Sequence, residues 1–176
     1  DMEGAAFVAQ RGTEAVQPQV VEHPARQETD ALFILRTAWL YGDGPNFVRT
    51  MLKLGQDRTE LQVVNDQHGC PTCTKDLVEA LLRLSETRQY GTYHAVNTGV
   101  ATWYDFACKI FEIVGNTKVR VTPVTTEQFV RPASRPAFSP LDTRLLQQTA
   151  DNPMRPWEVA LAEYLRNENL RQGSNA

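Results

Sequence analysis

The sequence predicts an α/β fold built on a parallel sheet, and three observations predict it. The run Ala31-Leu32-Phe33-Ile34-Leu35 is short and continuously apolar, the pattern of a strand buried on both faces. Strand-like runs then alternate along the chain with apolar residues at helical spacing, which is how sheet-and-crossover units are written. Gly- and Pro-containing segments punctuate the alternation. Only three or four strands are legible this way, fewer than a doubly wound nucleotide-binding sheet contains, so the sequence predicts part of such a fold.

In chain order, residues 1–30 are an atypical amino-terminal segment. Ala15, Val16, Val20 and Val21 are loosely helical in spacing and Pro18 interrupts them, which predicts a remnant helix followed by a linker. The domain proper spans 31–170. After the apolar strand, Arg36 to Pro45 form a loop, and Phe47, Val48, Met51, Leu52 and Leu54 mark an amphipathic helix. Leu61 to Val64 read as a strand and Asn65 to Thr74 as a polar loop. A helix from Thr74 to Ser85 carries Leu77, Ala80, Leu81 and Leu84 inward. Thr92 to Val96 form a strand. Thr102 caps a helix bearing Trp103, Phe106, Ile110 and Phe111, and Gly115 ends it. Val119 to Val124 alternate as a half-exposed strand. Residues 131–140, with Pro132, Pro136 and Pro140, form an extended arm that cannot be helical. A short helix near Asp142 to Gln148 follows, and a last one starts at Pro156; residues 171–176 are read as a disordered tail.

Composition narrows the function. The 176 residues are 41% hydrophobic and 22% charged with a net charge of -3, which fits a soluble domain and offers no general attraction to nucleic acid or anionic membranes. No window approaches a membrane span and the first residues do not read as a secretory signal, so a cytoplasmic location is expected. Three cysteines form no paired framework. Cys70 and Cys73, with His68 nearby, lack a fourth zinc ligand, and Cys108 reads as a small buried apolar residue. A dinucleotide site would require a strand followed by a Gly-rich turn, because backbone amides must approach the pyrophosphate. The nearest candidate, Gly42-Asp43-Gly44, is followed by Pro45 and reads as a turn.

Ordered motifs carry a resemblance. Arg36-Thr37-Ala38-Trp39-Leu40-Tyr41-Gly42, Asn46-Phe47-Val48-Arg49-Thr50-Met51-Leu52 and Val64-Asn65-Asp66-Gln67-His68-Gly69-Cys70-Pro71-Thr72 come first. Gly91-Thr92-Tyr93-His94, Thr102-Trp103-Tyr104-Asp105-Phe106-Ala107, Arg135-Pro136-Ala137-Phe138-Ser139-Pro140-Leu141-Asp142-Thr143 and Pro156-Trp157 follow. From Ala31 to Leu165 the sequence resembles the dTDP-4-dehydrorhamnose reductases, extended members of the short-chain dehydrogenase/reductase superfamily. The resemblance implies a partial Rossmann-like fold, mostly the substrate-binding lobe, with the dinucleotide-binding half missing. It also implies the family chemistry, reduction by NADPH or NADH of the 4-keto group of a dTDP-linked 6-deoxysugar. Family catalysis uses a Tyr-x-x-x-Lys pair, since a phenol must supply the carbonyl proton and an ammonium must lower its pKa.

Gly12-Thr13-Glu14-Ala15-Val16 resembles the segment after that lysine, which puts Ala5 and Ala9 at the tyrosine and lysine positions. No catalytic residue is therefore assigned, no cofactor is expected to bind this chain alone, and catalytic silence is the expectation. The alternative is a non-catalytic interaction subunit resembling the methionine adenosyltransferase β subunit. Asp1 to Ala6 is similar to the Met-Glu-Gly-Ala segment of nucleoside phosphorylases over six residues only, an edge feature rather than a site. Open strand edges make a homo-oligomer possible.

Five residues are candidates for the sugar nucleotide. By resemblance Trp39 lies against the sugar, or else caps the core. Asn46 is either an N-cap or a phosphate contact, and Arg36 pairs with a phosphate or an internal carboxylate. Gln67 bonds sugar hydroxyls or caps the next helix. Arg135 presents a guanidinium to the diphosphate from a proline-stiffened backbone, whereas Arg131 reads as solvated surface. His94 reads as a satisfied core histidine.

Overall fold

The structure, a computed structural model, describes residues 6–11, 27, 29–128, 135–151 and 154–173. The elements run β1 (Ala6–Arg11), β2 (Leu32–Thr37), β3 (Leu40–Tyr41), α1 (Phe47–Asp57), β4 (Glu60–Val64), β5 (His68–Gly69) and β6 (Thr72–Cys73). They continue α2 (Thr74–Ser85), β7 (Gly91–His94), β8 (Ala101–Thr102), α3 (Trp103–Ile113), β9 (Arg120–Val124), a 3-10 turn at Thr126–Gln128, α4 (Arg144–Ala150) and α5 (Trp157–Gly173).

At the centre is a parallel sheet in the order β1-β2-β7. The apolar run predicted as a buried strand is its middle member: Leu32, Phe33, Ile34 and Leu35 are at most 4% exposed, as a strand buried on both faces should be. The remnant helix expected within residues 1–30 is corrected in part. Ala6–Arg11 is a strand, in register with β2 from Ala6↔Leu32 to Arg11↔Thr37. Bare strand edges leave backbone donors and acceptors unmet, and a six-residue ladder satisfies them where a lone helical turn would not. Ala9 consequently lies in a strand rather than on the helix that its register with the family implied. Ala5 and the segment from Gly12 to Val21 lie outside the described residues.

Other expectations need smaller changes. The loop expected from Arg36 to Pro45 is shortened at its start, since β2 reaches Thr37 and β3 forms within it. The loop from Asn65 to Thr74 contains β5 and β6. Two-residue strands carry no alternation that a sequence pattern could reveal. The tail expected from residue 171 is helical as far as Gly173, at the end of α5. Arg131 and residues 174–176 lie outside the described residues.

Apolar packing falls into two main clusters. In one, α1, α3 and α5 close over β4 through Val48, Phe106, Ile110 and Leu161. In the other, α2 and α4 cover one face of the central sheet through Phe33, Leu35, Leu84 and Leu146. Local signals set the helix starts: Thr102 accepts from the Asp105 amide (3.0 Å) while Asp105 accepts from the Thr102 amide (2.9 Å), a complete capping box.

A buried polar junction ties the two clusters together. Asn97, fully buried, accepts from the Cys73 amide (2.8 Å) and donates to Asp76 (2.6 Å) and to the Arg155 carbonyl (2.9 Å). Arg155 grips Asp76 in a bidentate pair (3.0 and 3.1 Å) and reaches Glu163 at 2.6 Å, where Lys75 also pairs. Removing the guanidinium strands a carboxylate that is 3% exposed. Arg155→Met should therefore lower stability by about 3 kcal/mol in equilibrium urea unfolding. Arg155 and Lys75 hold the Glu163 carboxyl at about 2 instead of 4.5. Because the folded value is the lower, this stabilisation is present above pH 4.5 and is lost as pH falls toward about 2. Glu163→Gln should flatten that acid decline.

Candidate functional site

Beyond the carboxyl ends of β2 and β4 the chain crowds several candidate residues into one loop cluster, the position where open α/β sheets place ligands. Trp39 follows β2 in the left-handed region (φ 47°), a conformation that costs a bulky residue on the order of 1–2 kcal/mol. Its carbonyl accepts from the Thr72 amide (3.1 Å), and its indole stacks on Trp103 with centroids 3.7 Å apart and planes 12° apart. Only 7% of Trp39 is exposed, so the core-capping reading describes most of its surface. Gly69 lies against the indole so closely that a Cβ there would overlap the ring. Ala38, Cys70 and Val96 complete this small third cluster.

The polar loop after β4 is held from the side. Asp66 accepts from the Thr126 amide (2.9 Å) and hydroxyl (2.6 Å), bonds that hold its carboxyl below the usual carboxylate range. Gln67, 7% exposed, donates to the same hydroxyl oxygen at 3.0 Å. Its amide is thus partly committed to positioning the loop.

The arm closes the cluster. His68 donates its amide to the Ala137 carbonyl (2.8 Å) and accepts from the Ser139 amide (2.9 Å) and hydroxyl (3.0 Å). The arm thus lies beside β5, with Phe138 and His68 forming a single parallel bridge, in keeping with the proline-rich reading. Arg135, partly buried, enters it beside Pro136, and Phe138 projects from it.

Other candidates lie elsewhere. Asn46 caps α1: it accepts from the Arg49 amide (3.0 Å) and donates to the carbonyls of Gly42 (2.7 Å) and Gly44 (3.1 Å). Of its two readings the cap is the one this geometry fills. Tyr164 donates to Gly42 (2.9 Å) while Arg49 bonds Glu168 twice at 3.0 Å, so α5 clamps the glycine turn. Arg36 is inside β2 rather than after it, in register between Gln10 and His94. His94 is half-buried rather than a core residue; it donates from Nδ1 to the Asp142 carbonyl (3.1 Å) and lines an open cleft of about 490 Å³ with Thr92, Arg144 and Gln148. Burial raises the thiols of Cys70 and Cys73, leaving them poor nucleophiles. Cys108 is half-buried against Tyr104, not in the core.

A family model described as the RmlD substrate binding domain matches residues 19–170. The chain belongs to this family. Among relatives, the spore coat polysaccharide biosynthesis protein SpsK of Bacillus subtilis (strain 168) is 44% identical over 146 residues, 82% of this chain and 50% of its own length. The dTDP-4-dehydrorhamnose reductase of Streptomyces griseus is 44% identical over 140 residues, 76% of this chain and 46% of that one. Among solved structures, a dTDP-4-dehydrorhamnose reductase from Clostridium acetobutylicum superposes with a TM-score of 0.84 at 38% identity, covering 94% of this chain and 65% of that one. The enzyme from Bacillus anthracis in complex with NADP gives 0.77 at 42% identity, covering 83% and 51%. The chain spans about half the length of the curated relatives it matches. Its fold is part of the Rossmann-like α/β fold of the extended short-chain dehydrogenases, as the motifs implied.

Within this family frame, sequence reasoning missed Thr126, which holds the loop, and read Ser139 only as part of the arm's motif or the start of the next helix, not as the residue that bonds the arm to His68. A lone hydroxyl outside a capping pattern gives no signal of a partner 60 or 71 residues away. Placing Trp39 depended on Gly69, so Gly69→Ala should destabilise the chain by about 1–3 kcal/mol. The same substitution should shift the Trp39–Trp103 near-UV circular dichroism, since the indole has to move; an unchanged spectrum and stability would contradict the packing.

Proposed function

We propose that this chain is the sugar-nucleotide-binding part of a dTDP-4-dehydrorhamnose reductase, holding a dTDP-linked 6-deoxy-4-keto sugar between the Gln67 loop and the Arg135 arm. The observation that carries this reading is the pair of backbone hydrogen bonds joining the arm to His68. They hold the arm that carries Arg135 against the loop that carries Gln67 before any ligand arrives, and such preorganisation lowers the cost of binding. Trp39 and Asn46 act as supports: the first packs behind Gly69, and the second shapes the turn before α1. Arg135 supplies charge to the diphosphate, and Gln67 keeps an amide oxygen for sugar hydroxyls. Arg36 contributes from β2 to the electrostatics of the same sheet.

The glycine turn before α1 does not support a dinucleotide seated there. At the amino end of α1, the Asn46 side chain already takes up the Arg49 amide, and a Cβ on Gly42 would strike Thr74. In the sequence no tyrosine is followed four residues later by a lysine. On this reading, hydride delivery from NADPH or NADH and protonation of the sugar oxygen come from groups other than the described ones. Three unbridged thiols support a cytoplasmic setting, and β1, paired on one side only among the described residues, supports association between copies.

Calorimetric titration of the 176-residue chain with the dTDP-linked keto sugar should show binding, and Arg135→Ala should weaken it about tenfold, the loss of one charged hydrogen bond. NADPH oxidation by the chain alone should be undetectable. Turnover without added protein would overturn the division of labour, and no binding would overturn the assignment.

A further inference from the structure

Phe138 is 71% exposed, more than Val78, Leu82, Leu145 or any other exposed large apolar side chain among the described residues. Single surface hydrophobics are ordinary and need no explanation. What sets this one apart is how firmly it is held out. The residues on either side of it, Ala137 and Ser139, are both bonded to His68, and Pro136 and Pro140 stiffen the backbone beyond them. Phe138 forms an isolated parallel bridge with His68, whose ring meets it at 6.1 Å with a 40° tilt. A flat apolar face is thus presented to solvent at little further entropic cost.

The residues next to it along the arm and its partner loop suit a nucleotide. Arg135 precedes it by three residues on the same arm, and Gln67 precedes His68, the residue on which the arm is bonded. A guanidinium suited to phosphate oxygens, an amide and an open aromatic plane are the groups that recognise a nucleoside diphosphate. We propose that Phe138 is the stacking platform for the pyrimidine base of the sugar nucleotide, with the diphosphate running from it toward Arg135. This rests on the reading of the chain as a sugar-nucleotide binder and adds the residue that holds the base.

The experiment titrates dTDP into the chain and into Phe138→Ala, Phe138→Leu and Phe138→Tyr, with far-ultraviolet circular dichroism confirming that each stays folded. Phe138→Ala and Phe138→Leu should both weaken dTDP binding about tenfold, because leucine restores apolar bulk without a π-face. Phe138→Tyr should bind as the parent does. Unchanged affinity in Phe138→Ala, or full rescue by leucine, overturns the platform while leaving the wider reading intact. Absence of dTDP binding by the parent chain overturns both. If Phe138→Ala abolishes a concentration-dependent dimer and leaves dTDP affinity unchanged, the ring serves a second copy of the chain and the proposal fails.

Discussion

One buried amide organises this molecule. Asn97 has no exposed surface, and its side chain meets the Cys73 amide at the N-cap of α2, the carboxylate of Asp76 and the backbone that launches α5. Each of those groups would be costly to bury alone, and each is acceptable because the others are there. The Asp76–Arg155–Glu163 chain extends the junction to the surface. Through it the cluster around the central sheet and the cluster around α3 and α5 keep a fixed relation. α5 is in turn the helix whose Tyr164 and Glu168 clamp the Gly42 turn and Arg49.

The legible part of the fold was the part written in runs and spacings. Leu32 to Leu35, the inward stripes of α1, α2 and α3, and the cap at Thr102 all follow from patterns a few residues long. What escaped was tertiary. Ala6 to Arg11 has no alternation, and it becomes a strand because β2 offers a ladder in register. Two-residue strands such as β5 and β6 are defined by their partners alone. His94 was read from its apolar neighbours as a core residue, yet an edge strand leaves it lining a cleft.

At the site the same division holds. Polar residues in a loop and arginines on a proline-rich arm could be named from the sequence, but their spacing could not say that His68 would bond the arm on both sides of Phe138. Nor could it separate support from contact. Asn46 offered two roles, and four hydrogen-bonded neighbours decide for the cap. Trp39 offered two, and a stacked indole beneath it leaves little surface for anything else.

The fit of Trp39 against Gly69 also constrains how this sequence can change over time. Thirty positions separate them, yet the glycine cannot acquire a side chain while the indole is in place. Shrinking the tryptophan first would open the space, whereas enlarging the glycine first would meet a collision. The two sites are therefore epistatic with a preferred order, and a lineage that has once filled the gap beside residue 69 could not readily restore the tryptophan.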